Sequence, residues 1–362
     1  MNVRALFELS SVPGVGSYRI RQLVGRFGSP EAVLSASVSE LCAVEGVDKV
    51  TAEKIRRGPD PATVEDQFQS MQKFGVMLLH YWEDGFPEYL KRIHDPPVFL
   101  FYKGNIELIQ EGGIALVGTR NATHAGRRMA DLLARDLAHH GVPVISGMAR
   151  GIDTTAHRGA VRNGGHTIAV LGSGLDVIYP PENMELFESI SASGLVLTEF
   201  PMHAEPIHSN FPKRNRIISG LSDGVVVVEA GLKSGALITA YLALEQGKEV
   251  FAVPGNPFNP QSKGCHHLMK QGARLVECSK DILEAFRKWA HSEKTAAGKD
   301  DPRTSLSEDE MKYWNQLSDE PVHIDALVKR VNTTTAEALS ILLGLELKGR
   351  VKQLSGMLFI RQ

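Results

Sequence analysis

The densest positive charge in this 362-residue sequence is the run Phe211-Pro212-Lys213-Arg214-Asn215-Arg216, three cations within four residues beside an aromatic ring. An arginine fork matches two phosphate oxygens at once, and a flat ring offers a base a stacking surface worth about 1–3 kcal/mol per base. Cations next to such a ring suit single-stranded nucleic acid better than a mononucleotide. Four further stretches carry Gly and Ser where backbone N–H groups can approach an anion without a side chain between. They are Gly118-Thr119-Arg120, Ser146-Gly147 with Arg150 shortly after, Gly172-Ser173-Gly174, and Glu229-Ala230-Gly231 with Ser234-Gly235-Ala236. One such turn is weak evidence; four at the ends of apolar stretches point to a shared anion groove. The expected contact set is Gly118, Arg120, Ser146, Gly147, Arg150, Gly172, Phe211, Lys213, Arg214, Asn215, Arg216, Ser234 and Gly235.

Bond-breaking chemistry is less well supplied. Gly172-Ser173-Gly174 lacks the third glycine of a dinucleotide fingerprint, because position 177 is Val, and no GxxxxGK[ST] run occurs, which disfavours an NAD enzyme or a P-loop ATPase. Cys265-His266-His267 are adjacent and cannot jointly face one metal ion from a helix, and neither CxxC nor HExxH occurs. Asp153 and His157 stand at i,i+4 near a helix start, where Asp caps and His packs. Glu229 ends a strand with no activated nucleophile beside it. The expectation is binding without catalysis, cofactor or metal.

The elements that must position these residues follow from the apolar pattern. Nine strands are predicted at Val76–His80, Phe99–Tyr102, Ile114–Gly118, Pro143–Gly147, Thr167–Gly172, Leu195–Glu199, Gly224–Glu229, Glu249–Val253 and Arg274–Glu277. Between Ile114 and Glu277 they alternate with helix-length segments, the signature of a parallel sheet covered on both faces. The fold class is therefore α/β, a Rossmann-like doubly wound, mostly parallel sheet, whose ligands bind beyond the carboxyl ends of the strands.

Residues 1–75 read as a helical module with two helix-hairpin-helix-like repeats. Val12-Pro13-Gly14-Val15-Gly16 recurs 32 positions later as Val44-Glu45-Gly46-Val47-Asp48. Arg19 and Arg21 follow the first copy, whereas Asp48 puts an anion where the second would hold a phosphate. Residues 76–290 form the Rossmann-like core and residues 291–305 a polar linker. Residues 306–362 read as a winged helix of three helices and a terminal hairpin. Its third helix offers Thr335, Glu337, Ser340 and Glu346 where a DNA reader offers Arg, Lys, Asn or Gln, so protein contact is its expected role.

Composition bounds the alternatives. At 43% hydrophobic and 23% charged residues the chain is a globular one. No uncharged apolar run approaches the roughly 18 residues of a membrane span, no leader segment is evident, and three scattered cysteines fit a reducing cytoplasm. Net charge is −2, and residues 81–290 hold 21 Lys and Arg against 22 Asp and Glu. A polyanion site must therefore come from where the cations sit.

In order, ALVGTR, VISGMARGIDTTAH, TIAVLGSGLDVIYP, TEFP, FPKRNRIISGLSDGVVVVEA, SGALITAYLALEQGKEVFAVPG and GCHHLMKQGA resemble the DNA-processing protein A family (DprA, also called Smf), over about residues 80–285. The resemblance implies a cytoplasmic mediator that binds single-stranded DNA in a basic pocket. It also implies a homodimer formed through the Rossmann-like core, and loading of a RecA-type recombinase during uptake of transforming DNA. By position, Arg120, Lys213, Arg214 and Arg216 would be the main phosphate contacts, with the Gly147/Arg150 loop and the Ser234-Gly235 turn around them. Thr119 stands where Ser is common, and Pro181 where some members carry Lys. The alternatives are a nucleotide-processing hydrolase on a Rossmann-like core and a protein-interaction scaffold.

Overall fold

A computed structural model describes residues 1–290, 306–318 and 320–361, so the linker expected at 291–305 lies outside the described residues. Two compact units divide the chain, Met1–Lys294 and Thr295–Gln362.

The first unit begins with six helices: α1 (Val3–Ser10), α2 (Ser17–Phe27), α3 (Pro30–Ser35), α4 (Val38–Cys42), α5 (Lys49–Arg57) and α6 (Pro61–Phe74). Both hairpin turns need a left-handed residue, supplied by Gly14 at φ 93° and Gly46 at φ 79°. The two second helices then differ as their sequences predict. Gly16 caps α2 without a side-chain bond, whereas the Asp48 carboxylate accepts the Thr51 N–H at 2.7 Å and fills the anion position of α5 itself. The module shares a core with the sheet. The Phe7 ring lies 6.0 Å from Phe99 and 6.3 Å from Phe101, and Leu6, Phe7 and Leu9 pack in one cluster with Val196 and Ile190. Burial of a side chain such as Phe7 is worth about 1.5–3 kcal/mol.

The sheet contains β1 (Met77–His80), β2 (Phe99–Gly104), β3 (Ile114–Gly118), β4 (Val144–Ser146), β5 (Thr167–Val170), β6 (Leu195–Thr198), β7 (Gly224–Glu229), β8 (Glu249–Ala252) and β9 (Arg274–Leu275). Each of the nine predicted strands forms. Their order is β1-β2-β6-β5-β4-β3-β7-β8-β9, with β1–β2 and β2–β6 antiparallel and the remaining pairs parallel. Val225 to Val228 are buried on both faces, which is why this run is unbroken valine rather than alternating.

Two single turns, α7 (Glu88–Lys91) and α8 (Leu108–Glu111), precede β3. The covering helices are α9 (His124–His139), α10 (Ile152–Arg162), α11 (Met184–Ser193), α12 (Asn210–Leu221), α13 (Gly235–Glu245), α14 (Lys263–Lys270), α15 (Ser279–Leu283) and α16 (Arg287–Ala290). Chain order runs from β3 through β4 and β5 to β6 on one side, then resumes with β7 on the other side of β3. A doubly wound sheet opens its crevice at such a reversal. A bulge between Val117 and Gly118 shifts the β3–β7 register there, which bends the strand end.

The second unit contains α17 (Glu308–Gln316), β10 (Val322–His323), α18 (Ile324–Val331), α19 (Thr335–Leu347), β11 (Val351–Leu354) and β12 (Leu358–Arg361), its sheet ordered β10-β12-β11. Asn332 at φ 56° ends α18, and a Thr334/Glu337 capping box starts α19. This is a winged helix. α19 exposes Leu339 and Leu343, and the Glu346 carboxylate accepts the Gln353 N–H at 3.0 Å.

Candidate functional site

At the β3–β7 crevice, a cavity of about 550 Å³ opens beyond the strand ends. From the β3 side it is reached by Arg120, which follows Gly118 and Thr119; from the β7 side by Lys233 and the first turn of α13 at Ser234 and Gly235; and α12 closes it with Phe211, Arg214 and Asn215. Thr119 is pinned where the bulge leaves it, donating its N–H to the Glu229 carbonyl at 2.7 Å. Gly118 has no room for a side chain, since a Cβ there would run into Ile152 and come 2.9 Å from the Glu229 carbonyl oxygen.

Two glycines expected to bare the backbone for phosphate serve a different purpose. A Cβ at Gly147 would collide with the Arg214 guanidinium, and a Cβ at Gly172 would stand 2.9 Å from the Phe211 ring. They make space for side chains of α12. Gly147 and Gly172 therefore seat the cation and the ring and do not line the cavity themselves. Ser146 is buried, its hydroxyl donating to the Leu116 carbonyl at 2.6 Å.

Arg214 is 3% exposed. Its Nη1 donates to the carbonyls of Gly147, at 2.7 Å, and Val170. Burial lowers its pKa to about 10, and it faces Asp153, whose carboxyl burial pushes up to about 6 against the pull of that cation. The Asp153 Oδ2 accepts the Gly147 N–H at 3.2 Å. Behind it, neutral His157 donates from Nδ1 to Thr167 Oγ1 at 2.7 Å and accepts the Met148 N–H at 3.4 Å, its pKa driven down to about 3 by burial. The sequence assigned Asp153 and His157 to capping and packing. His157 is a packing residue, but Asp153 does not cap α10, whose N-cap is Gly151 without a side-chain bond; it holds the Gly147 N–H and lines the cavity.

Above this floor the exposed Arg120 guanidinium lies 4.9 Å from the Phe211 ring centre. Phe211 in turn meets Tyr179 at 5.8 Å, and Arg150 lies 5.9 Å from the Tyr179 ring. The four make a ladder of cation, ring, ring, cation. One rung is already paired, because Arg150 is held by Glu182, with Nη2 to Oε2 at 3.1 Å. Arg120 makes no ion pair among the described residues.

The expectation that Lys213, Arg214 and Arg216 act as one cluster fails on helix geometry. Successive residues on a helix turn by about 100°, so Arg216 faces away from Arg214. Its Nη2 meets Glu199 Oε2 at 2.5 Å and Asp95 Oδ2 at 3.5 Å, and Asp95 Oδ1 lies 3.5 Å from Arg21 Nη2 of the helical module. Arg216 thus joins the core to α2. Lys213 is exposed and does not line the cavity. Of the first-hairpin cations, Arg21 is committed to Asp95 and to the Pro96 carbonyl, and Arg19 to the Gly14 carbonyl.

Lys233 and His208 line the cavity but were missed. Lys233 was legible as a lone cation inside a strand-end loop; His208 gave no signal. With Arg120, Arg214 and Lys233 facing one carboxylate, Asp153, the cavity carries the positive charge that the overall composition lacks. Glu229 is engaged elsewhere, accepting the Thr123 N–H at 2.8 Å.

Known proteins place this arrangement. A sequence model described as DNA recombination-mediator protein A matches residues 77–287, one described as the DprA winged helix domain matches 297–357, and one for a SAM-like helix-hairpin-helix tandem matches 6–58. DNA processing protein DprA of Streptococcus pneumoniae is 43% identical over 227 residues, 63% of this chain and 78% of that protein. Protein Smf of Synechocystis is 33% identical over 386 residues, 98% of this chain and 97% of that protein. The X-ray structure of the Streptococcus pneumoniae protein superposes with a TM-score of 0.69 at 35% identity, covering 78% of this chain and 96% of that one. A structure describing the single-stranded DNA binding mode of DNA processing protein A from Helicobacter pylori superposes with a TM-score of 0.53 at 31% identity, covering 58% and 94%.

Proposed function

The chain belongs to the DNA recombination-mediator protein A family, and from that premise we propose that it binds single-stranded DNA in the cavity between β3 and β7 and mediates recombination without catalysis. One observation carries the reading: an exposed arginine, Arg120, lies against Phe211 at the mouth of a cavity that Lys233 and Arg214 also line. Arg120 and Lys233 take phosphates, the Arg120–Phe211 pair takes a base face, and the Gly235 N–H at the start of α13 donates to a further oxygen, those of Ala236 and Leu237 being held by Ser234. Arg214 supplies field and shape from beneath. The Helicobacter pylori relative is described as binding single-stranded DNA, which supports the same class of ligand. A gel shift comparing single-stranded with duplex DNA at two salt concentrations tests this: single strands should bind more tightly, and equal or weaker binding than duplex would overturn it.

The assembly follows from exposed apolar surface. On α13, Ile238, Tyr241 and Leu244 are exposed, as is Leu275 on edge strand β9; this face pairs two copies through the Rossmann-like core. The protein works in the cytoplasm, where the dimer protects incoming strands and helps load a RecA-type recombinase during transformation. Among the described residues no helix is long and apolar enough to cross a membrane. The winged helix serves protein contacts through Leu339 and Leu343.

Asp153 favours a second reading, because a carboxyl held near pH 6 on a cavity wall resembles a general acid. The hydrolase that it suggests is tested by incubating the protein with nucleoside monophosphates and assaying released base. Turnover would replace the mediator assignment.

A further inference from the structure

The helix pair α9–α10 carries a second concentration of cations, on the face of the sheet opposite the one that α12 and α13 cover. Leu116 and Val226 pack with α9 and α10, and their strand neighbours Val117 and Val227 with α12 and α13. From Gly112 to Leu175 the sequence holds seven arginines, no lysine, three aspartates and no glutamate. Two of those aspartates are engaged: Asp136 accepts from Arg135 at 3.0 Å and from the Ser279 hydroxyl at 3.1 Å, and Asp153 faces Arg214. In a protein of net charge −2 this helix pair is a local positive field.

Arg127 on α9 and Arg158 and Arg162 on α10 are exposed, and none of the three makes an ion pair among the described residues. Arg158 and Arg162 stand at i,i+4, a spacing at which like charges destabilise a helix. The helix dipole favours Arg162 in the last turn of α10; Arg158 stands before that turn and has no such compensation. Arginine throughout, with no lysine, supplies planar forks that fit phosphate oxygens.

The two helices form one surface. A Cβ at Gly159 would come 2.9 Å from the Ala134 methyl, and one at Gly165, just beyond α10, would collide with Ala138. That surface begins at the cavity mouth: a Cβ at Gly151, the N-cap of α10, would stand 2.7 Å from the Arg120 carbonyl oxygen. From the first residue of α10, Arg158 and Arg162 lie about 9 and 15 Å along its axis, while Arg127 sits in the first turn of α9. The step of about 6 Å between Arg158 and Arg162 is on the scale of one nucleotide in an extended strand.

We propose that a single strand leaving the cavity past Arg120 continues along the α9–α10 surface, its phosphates taken by Arg127, Arg158 and Arg162. The proposal rests on the cavity being the primary DNA site and extends it by a second phosphate track.

The test uses the full-length protein and two oligothymidylates, one of about 5 nucleotides, which fills the cavity, and one of about 20. Each phosphate contact on a single strand adds about −0.7 to the slope of log K against log[salt]. In Arg127→Ala/Arg158→Ala/Arg162→Ala the slope for the long strand should fall in magnitude by about 2.1, with the short strand unaffected. The corresponding triple lysine variant, which keeps the charge, should restore most of that slope. A long-strand slope equal to wild type in the alanine variant, with short-strand binding intact, would overturn the track and leave the cavity standing. Equal falls for the two strands would overturn it too, since the arginines would then act on the cavity as a general field. So would a slope lost alike in the alanine and lysine variants, which would mark a structural role. Failure of the wild type to bind either strand would overturn the cavity reading itself, and the track with it.

Discussion

Arg120 and Arg216 separate the DNA-binding reading from a general effect of removing charge. Arg120 is exposed and stacked on Phe211; Arg216 is held by Glu199 and Asp95. Arg120→Ala removes one phosphate contact, about 0.7 of slope. Between 50 and 200 mM salt, that shrinks the loss of affinity by about 2.5-fold. Because the side chain is exposed, the melting temperature should stay within about a degree or two. Arg216→Ala strands the buried Glu199 carboxylate and leaves Asp95 with Arg21 alone, and should destabilise the first unit by about 1–3 kcal/mol. For a unit of this size that is roughly 3–10 °C. Its salt slope should be unchanged. Fluorescence anisotropy across a salt series, with thermal melts on the same preparations, reads both quantities. If Arg216→Ala lowered the slope as much as Arg120→Ala while melting like wild type, the placement of these two side chains would be refuted.

Gly172→Ala puts a methyl 2.9 Å from the Phe211 ring; displacing that ring carries Arg120 with it, so affinity should fall about tenfold with folding retained, as measured by anisotropy and circular dichroism. Asp153 is pushed up to about 6, so lowering the pH from 7 to 5 protonates the carboxylate lining the cavity. A site made more positive binds a polyanion better, and affinity should rise through that window. The rise should vanish in Asp153→Asn, both measured in a His208→Ala background so that the imidazole on the same wall does not contribute. Leu244→Arg on the exposed face of α13 should convert dimers to monomers in analytical ultracentrifugation; a variant that sediments as wild type would exclude this face.

The fold was legible because its signals are local. Nine apolar runs, each bounded by turn residues, set out nine strands, and Val225 to Val228 could only be a strand buried on both faces. Gly14 and Gly46 marked the two hairpins, and Asp48 announced that its own hairpin would be self-capped. The site was legible in outline only. The loops after β3 and β7 were recognisable as strand ends, but the partners of α12 lie far away in sequence: Glu199 and Asp95 for Arg216, Gly147 and Val170 for Arg214. Counting cations in a hexapeptide does not reveal which way each one faces. Gly147 and Gly172 were recognised as significant for the wrong reason, because a glycine that bares its N–H and one that clears space for a ring look alike in sequence. Lys233 was overlooked because a single lysine in a loop is ordinary until its neighbours are known.

The bridge from Arg21 through Asp95 to Arg216 bears on how freely the parts of this chain can be exchanged. Excising the first 75 residues would leave Asp95 with one arginine instead of two, and would disturb the footing of the helix that carries Phe211 and Arg214. The helical module is therefore not a portable appendage. A chimera that borrows it from a relative should inherit Asp95 and Glu199 in the same transfer, or its grip on DNA will suffer from a graft made on the opposite side of the helix.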